Sequence, residues 1–386
     1  MKKITLLILS IIFIGCTINS YNQYAYLQPA NIDDDLRVGT LSEAKIDSTL
    51  IIKAVNDINK GKFKEIHSML IYKDNKLVFE EYFSGHKHKW NAHKHHGKLE
   101  NWDKSMPHKV MSVSKSVTSI CIGIAIDKGF IESVQQSIFD YLPEHQHFKK
   151  NGKDEITIEH LLTMTSGLKW DEWSSPLSSK NNDIISLWFR YKDPIKGILK
   201  RPLLTKPGTH FTYSGGNTII LGEILKNATK MSIDEFSTKY LFEPLDINNS
   251  NWAVKYRNGT IQTAGSLEIT PRAMTKIGAT FLNNGVWNNK QIISQEWIEK
   301  SKIPYRENKN LKIPKVDSGK VGYAYSWWTG QGANGKTSIF YAGGWGGQYI
   351  MVIPDWDMVV TFTGGNYLDK VRVFEILTDY ILPAVN

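Results

Sequence analysis

The strand-forming segments of this chain lie at its two ends, with a long helical stretch between them, and that layout restricts the fold more than any other feature. Ser68-Met-Leu-Ile-Tyr72 and Leu77-Val-Phe-Glu-Glu-Tyr-Phe83 flank Lys73-Asp-Asn-Lys76, two β-rich runs around an Asp-Asn turn, which predicts a hairpin. Four further runs follow far downstream, at Tyr323–Trp328, Ser338–Ala342, Gln348–Ile353 and Met358–Thr363. Helical periodicity runs from near Ser42 toward Asn59, with Ile46, Leu50, Ile51 and Val55 on one face. Further helices are predicted near Pro271–Asn283 and Asp369–Ile381, and the stretch 133–260 reads as helix and loop. The termini therefore supply sheet and flanking helices, and the middle supplies a helical insertion. The expected fold is an α/β (α+β) sandwich, an antiparallel sheet flanked by helices, with an all-helical lobe at about 133–260. Clefts between such lobes are where sites tend to form.

A length of 386 residues allows two or three ordinary domains or one large two-lobed unit. With 41% apolar and 22% charged residues, a disordered or fibrous chain is excluded. The net charge of +9 suggests a polyanion partner, but it is concentrated. The window Lys60–Lys115 holds 12 lysines against 6 acids, and Lys2 and Lys3 add two more. The remainder is nearly neutral, so no nucleic-acid partner is expected.

Residues 1–16 read as an export signal. Lys2 and Lys3 precede an apolar run of 11 residues, Ile4 to Ile14, too short to span a bilayer. The run ends in Phe13-Ile14-Gly15-Cys16, which resembles the lipobox of bacterial lipoproteins. That resemblance implies a lipid on Cys16, a membrane contact through that anchor and a cell-envelope location. A plain signal peptide cut nearby remains the alternative. Residues 17–40 are polar and Asn-rich and are expected to tether the anchor to a domain at 41–386. Cys121 is then the one free thiol, placed in a buried helix. Two cysteines exclude a Cys-rich zinc module.

The basic window also carries His86, His88, His93, His95, His96 and His108. No Asp or Glu lies between His86 and His96, so the segment is read as an exposed excursion, with no metal site and no cofactor expected.

Ser-x-x-Lys occurs four times, starting at Ser42, Ser84, Ser112 and Ser166, and the pattern alone carries no weight. Context separates them. Only Ser112 opens a strongly apolar helix, which closes at Gly129. Three-residue spacing puts Lys115 on the face of Ser112, one turn along. A serine hydroxyl needs a base to become a nucleophile, and a lysine with a depressed pKa can serve. The helix N-terminus offers N–H groups to a developing oxyanion. Downstream, Phe211-Thr-Tyr213-Ser-Gly-Gly-Asn217 places Tyr213 after a turn and just ahead of another helix.

These blocks resemble the class C β-lactamase and penicillin-binding-protein-like serine hydrolases, a family that includes esterases, D-aminopeptidases and 6-aminohexanoate-dimer hydrolases. Met111-Ser-Val-Ser-Lys115-Ser is similar to its nucleophile motif. Ile156-Thr-Ile-Glu-His-Leu-Leu-Thr-Met-Thr-Ser-Gly-Leu168 matches its helix-and-turn marker, and Phe211–Asn217 its tyrosine motif. Thr263-Ala-Gly-Ser-Leu267 and Tyr341-Ala-Gly-Gly-Trp-Gly-Gly-Gln348 follow in family order. The resemblance implies a β-lactamase/transpeptidase-like fold, with Ser112 as nucleophile and Lys115 and Tyr213 sharing the proton transfers. It also implies an oxyanion hole from the Ser112 N–H and the strand near Gly344 or Trp345. Asn217 stands where hydrolase and esterase branches carry a substrate-binding Asn.

Two departures bear on substrate. Gly215 occupies the position two residues after the tyrosine, where β-lactamases of this family carry Asn. Tyr341-Ala342-Gly343 replaces a cationic residue, a hydroxyl residue and glycine that hold a drug carboxylate. The resemblance therefore favours a small-molecule or peptide-like ester or amide, cleaved by an acyl-enzyme, over a β-lactam. D-alanyl-D-alanine carboxypeptidase or D-aminopeptidase activity stays open. So does a non-catalytic binding lipoprotein with an aromatic platform of Trp170, Trp173, Trp327, Trp328 and Trp345. A Ser-His-Asp elbow is excluded, since no Gly-x-Ser-x-Gly occurs and no His lies beyond His210. His160 and His210 are read as structural.

Overall fold

The computed structural model describes residues 24–177, 179–306, 308–331 and 337–385. The export-like segment and Cys16 lie outside the described residues. In chain order the strands are β1 (Ile66–Lys73) and β2 (Lys76–Tyr82), an arm of β3 (Ser84–His88) and β4 (His96–Asn101), and the short β5 (His108–Lys109), β6 (Ser250–Trp252) and β7 (Leu267–Ile269). There follow β8 (Val286–Trp287), β9 (Lys290–Gln291), β10 (Leu311–Lys312), β11 (Lys320–Tyr323), β12 (Trp328–Gln331), β13 (Ser338–Gly344), β14 (Gln348–Ile353) and β15 (Met358–Gly364). Among the described residues, eight strands form the main sheet in the order β10-β11-β12-β13-β14-β15-β1-β2, antiparallel throughout. The N-terminal hairpin thus closes onto β15 from the far end of the chain, the expected union of the two termini.

Both faces of this sheet are covered. Along β1 and β14, alternate residues go to opposite sides, as strand geometry requires. Leu70, Tyr72, Ile350 and Val352 join one apolar cluster, and Met69, Ile71, Met351 and Ile353 join the other. The second cluster is roofed by α1 (Ser48–Asn59) and the C-terminal α10 (Val373–Ile376). Helix α1 begins later than the apolar pattern suggests, because the Asp47 side chain accepts from the Thr49 N–H and sets the start. Such a cap contributes about 1 kcal/mol. The C-terminal helix is also shorter than expected: α10 gives way at Leu377 to a wide-turned segment, Leu377–Ile381.

The first cluster is covered by α2 (Val113–Asp127), by a helical lobe and by α8 (Pro271–Leu282). The lobe contains α3 (Ile158–Leu162), α4 (Asp183–Arg190), α5 (Pro194–Leu199), α6 (Gly215–Thr229) and α7 (Ile233–Ser237), while α9 (Gln295–Lys302) follows α8. Helix α2 is buried on every side from Val113 to Ala125, so its polar residues are inside too. They find partners there. Ser116 and Ser119 hydroxyls donate to the carbonyls of Ser326 and Tyr325, while Thr118 donates to Thr263.

Those bonds explain a difference from the sequence reading. Tyr323–Trp328 is not one strand but a turn between β11 and β12, with Ser326 at φ 59° and held against α2. Residues 24–40 also differ from the expected free tether. The Tyr26 hydroxyl donates to the Val78 carbonyl, Leu36 is buried, and the Gly39 N–H donates to the Leu77 carbonyl. Arg272 on α8 reaches Asp34 at 3.0 Å and the Ala30 carbonyl at 2.7 Å, while gripping Glu80 of β2 at 2.5 and 2.7 Å. Among the described residues, no helix is long and apolar enough to cross a membrane.

Arg272 and Glu80 are both almost fully buried, so removing the guanidinium strands a carboxylate in the interior. Arg272→Ala is expected to cost about 3–5 kcal/mol, read by denaturant unfolding, and to expose residues 24–35 to proteolysis.

Candidate active site

The chain enters α2 through a strained elbow. Met111 sits at φ 50°, a left-handed conformation that costs a non-glycine residue about 1–2 kcal/mol. Burial of its side chain offsets that cost. The elbow delivers Ser112, half-exposed, at the N-cap of α2. Among the described residues, no backbone carbonyl accepts from the Ser112 N–H, which is left free to face an anion. One turn on, Lys115 Nζ lies 3.0 Å from Ser112 Oγ and 2.9 Å from the Ala264 carbonyl. The Ala264 loop is knitted to α2 by the Leu267 N–H, which donates to Ser114 Oγ.

Tyr213 stands just before α6, with its ring 4.9 Å from Lys115 Nζ and its hydroxyl on the Ser112 side of the cleft. Trp173 and Trp328 stack on it at 5.0 and 5.7 Å. Ser112, Lys115 and Tyr213, 98 residues apart from second to last, are thus brought together as the spacing and resemblance implied.

Glu172 is the group that sequence reading missed. Its Oε1 lies 3.8 Å from Lys115 Nζ, and its Oε2 accepts from the Gly215 N–H and from Trp170 Nε1, both at 2.6 Å. It stands four residues after the Thr-Ser-Gly-Leu168 block, and an acidic residue so close to a matched motif was the available signal. Burial pushes the Lys115 amine below its ordinary value, and the Glu172 carboxylate only partly opposes this. Burial pushes the Tyr213 phenol up, Glu172 pushes it further, and the Ser112 contact works the other way. A neutral amine at 3.0 Å can take a hydroxyl proton, and a neutral phenol can donate one.

Ser112 lies where two cavities meet, of about 440 and 650 Å³, both also lined by Glu172, Leu177 and Trp345. The smaller carries Tyr213, Trp173, Trp328, Gly344 and Tyr367. The larger is mainly apolar, with Ile184, Ile185, Trp188, Phe189 and Val254. A wider concavity of about 1180 Å³ near Asp317 and Lys320 does not include Ser112.

Gly344 ends β13 against the elbow, and a Cβ there would lie 2.4 Å from the Val110 carbonyl oxygen. Trp345 forms a cleft wall, its Nε1 donating to the Tyr367 carbonyl at 2.6 Å. Asn217 does not line either cavity: it is buried within α6, where its Oδ1 accepts from Ser166 Oγ at 2.9 Å. The expected substrate contact gives way to a structural one because α6 turns that face toward the Met164–Ser166 segment. Trp327 and Trp170 are core, whereas Trp173 is exposed at the mouth. His160 closes a capping box at α3 and His210 is exposed, outside both cavities. Cys121 is buried, and burial pushes its thiol up.

The histidine-rich window is an exposed excursion only in part: Lys87, Trp90, His93 and Lys94 are exposed, while its other face is packed. The β3–β4 arm lies on Trp345 and Tyr367: His95 packs 4.9 Å from Trp345, and His88 4.9 Å from Tyr367. His88, Lys89, Trp90 and His95 thereby become cleft wall. The cluster Glu65, His86 and His96, which has ligand atoms close enough to hold a metal, stands outside the cleft lining.

A helix-borne serine and lysine joined by a tyrosine, between a two-faced antiparallel sheet and a helical lobe, define a serine-hydrolase type of catalytic domain. A family model described as Beta-lactamase matches residues 66–367, and the chain belongs to that family of serine hydrolases. It is 25% identical over 261 residues to the 6-aminohexanoate-dimer hydrolase of Paenarthrobacter ureafaciens, covering 66% of this chain and 64% of that one. It is 26% identical over 253 residues to protein flp of Staphylococcus aureus strain COL, covering 61% and 48%. The chain thus spans less than two thirds of these curated relatives. Among solved structures, a penicillin-binding protein homologue from Caulobacter crescentus has a TM-score of 0.66 at 13% identity, covering 90% of this chain and 99% of that one. A family VIII carboxylesterase has a TM-score of 0.65 at 13% identity, covering 87% and 97%. At such identities these two structures speak for the fold.

Gly344→Ala places a methyl against backbone, which cannot yield as a side-chain tip can. A loss of about 1–3 kcal/mol is expected in thermal unfolding, together with disturbance of the Val110–Ser112 elbow.

Proposed function

We propose that this chain hydrolyses an ester or amide of a small molecule through an acyl-enzyme on Ser112. The observation that carries the reading is the buried Lys115 amine, 3.0 Å from Ser112 Oγ and held below its ordinary pKa by desolvation. In this reading Lys115 is the resting base, because burial favours the neutral amine and the neutral Tyr213 phenol alike. Ser112 Oγ attacks the carbonyl carbon as its proton passes to Lys115 Nζ. The oxyanion meets the Ser112 N–H and the backbone of β13 at Gly344. Tyr213 protonates the leaving group, and water then attacks the acyl-enzyme by the reverse proton path.

The cavities favour a substrate with an apolar moiety in the larger lobe. A β-lactam is disfavoured: Tyr341, in the place of a carboxylate-binding cation, points into the core against Tyr349 and Phe374. The reading further includes export and a lipid on Cys16, supported by the apolar run and the lipobox-like end, with residence in the cell envelope.

Ser112→Ala should abolish turnover of p-nitrophenyl esters and labelling by a fluorophosphonate. Lys115→Ala and Tyr213→Phe should each lower kcat by about 100-fold or more, non-additively. An unlabelled parent, or a Ser112→Ala variant matching it, overturns the reading. Nitrocefin should turn over far more slowly than the best ester.

The neutral amine is the active form, so kcat/KM should rise with pH along a limb below the ordinary lysine value of 10.5. Glu172 raises the Lys115 pKa, so Glu172→Gln should move that limb to lower pH. Cys16→Ser should shift the chain from the membrane to the soluble fraction of its host, followed by immunoblotting.

A further inference from the structure

We propose a metal site, separate from the Ser112 cleft, in which Glu65, His86 and His96 bind a divalent first-row ion of the zinc type and clamp the β3–β4 arm to the sheet. One candidate ligand atom from each residue lies within 4.8 Å of the other two. A tetrahedral zinc with bonds of about 2.0–2.1 Å spaces its ligand atoms about 3.3 Å apart. The His86 Nδ1 to Glu65 Oε1 distance is 2.9 Å, so that pair already stands near ligand spacing, and His96 has to close a gap of up to 4.8 Å. The two imidazole rings are stacked, 4.7 Å between centroids and 2° apart in plane, so one ring has to tilt to aim its in-plane lone pair at a shared ion. Two nitrogens and one carboxylate oxygen suit zinc and its neighbours rather than magnesium or calcium.

The donors are held from behind, as metal ligands usually are. Glu65 Oε2 accepts from the His86 N–H at 2.8 Å and lies 3.4 Å from His67 Nε2. His96 turns its Nε2 to the Gly365 carbonyl at 2.9 Å, which orients the ring. All three ligands keep partial exposure, which provides an entry path and room for water in a fourth position. On binding, the ion takes the place of the proton between His86 Nδ1 and Glu65 Oε1. That proton leaves to solvent or re-enters the ring at Nε2.

The sequence hid this site because the carboxylate comes from Glu65, 21 residues before His86 and across the main sheet's first hairpin. The consequence reaches the cleft by backbone. The Gly365 N–H donates to the Glu65 carbonyl, and the Glu65 N–H donates to Asn366 Oδ1. Asn366 and Tyr367 line the smaller cavity beside Ser112. A bound ion therefore ties the arm, β1 and that cleft wall together.

The test uses the purified full chain stripped with EDTA, titrated with Zn²⁺ against a chromophoric chelator. One equivalent should bind with an apparent Kd below about 1 µM. His86→Ala, His96→Ala and Glu65→Gln should each weaken binding by about 100-fold or more, while His93→Ala, an exposed histidine of the same arm, should leave it unchanged. Co²⁺ should give visible bands of four-coordinate intensity, displaced by Zn²⁺, and Zn²⁺ should slow amide exchange across residues 84–101. These readouts need no hydrolytic activity, so they stand apart from the Ser112 reading. Binding weaker than tens of micromolar, or absent cobalt bands in the parent chain, overturns the site. Equal weakening by His93→Ala overturns it too, because the arm would then be a diffuse histidine surface. Should His96→Ala fail to fold by circular dichroism, the half-exposed His86 and the isosteric Glu65→Gln carry the comparison.

Discussion

Burial of the Lys115 amine is the constraint around which the rest of the structure is arranged. Taking an ammonium out of water costs several kcal/mol even after relaxation, and its surroundings recover only part of that. One carbonyl accepts from it at 2.9 Å, and the nearest carboxylate oxygen stays at 3.8 Å. The neutral amine is favoured as a result, beside the Ser112 hydroxyl. To keep water away, α2 must be covered on all sides, which requires the sheet on one side and the helical lobe on the other. Its serines and threonines then need internal acceptors. They find them in the Thr263–Leu267 loop and in the turn between β11 and β12.

Glu172 connects this arrangement to the tyrosine. Its Oε2 is committed to the first N–H of α6 and to the Trp170 indole, so the carboxylate cannot swing closer to the amine. The same N–H bond fixes the start of α6 two residues after Tyr213. One carboxylate thus sets the field on both proton-carrying groups and the position of one of them. The cleft walls are assembled from more distant pieces. Trp345 and Tyr367 come from the last third of the chain, and the histidine arm from the first.

Much of this was legible in the residues. The hairpin turn and the last three strands of the sheet appear within a residue or two of their expected bounds, and α6 begins just after Tyr213 as expected. Their patterns are local: alternation, turn residues and helix stops act over a few positions. Misreadings occur where a distant partner overrides the local preference. Tyr323–Trp328 is rich in strand formers, yet Ser116 and Ser119 of α2 fold it into a turn. Residues 24–40 look like a polar tether, yet Arg272, some 240 positions on, draws them in by charge. Asn217 has the right spacing for a cleft residue, but the face it occupies on α6 depends on how that helix rolls against Met164 and Ser166.

The sequence by itself determined the layout of sheet-forming ends around a helical middle, and it singled out Ser112, Lys115 and Tyr213, which the fold brings together. Helix period, strand alternation and motif spacing are short-range properties that a linear reading can follow. Only the tertiary structure decided that Glu172 faces the lysine, that His88 and His95 are cleft wall, and that Glu65 stands beside His86 and His96. Those facts depend on through-space distances of a few ångströms between residues far apart in the chain. Such distances are set by which faces the packed core leaves together.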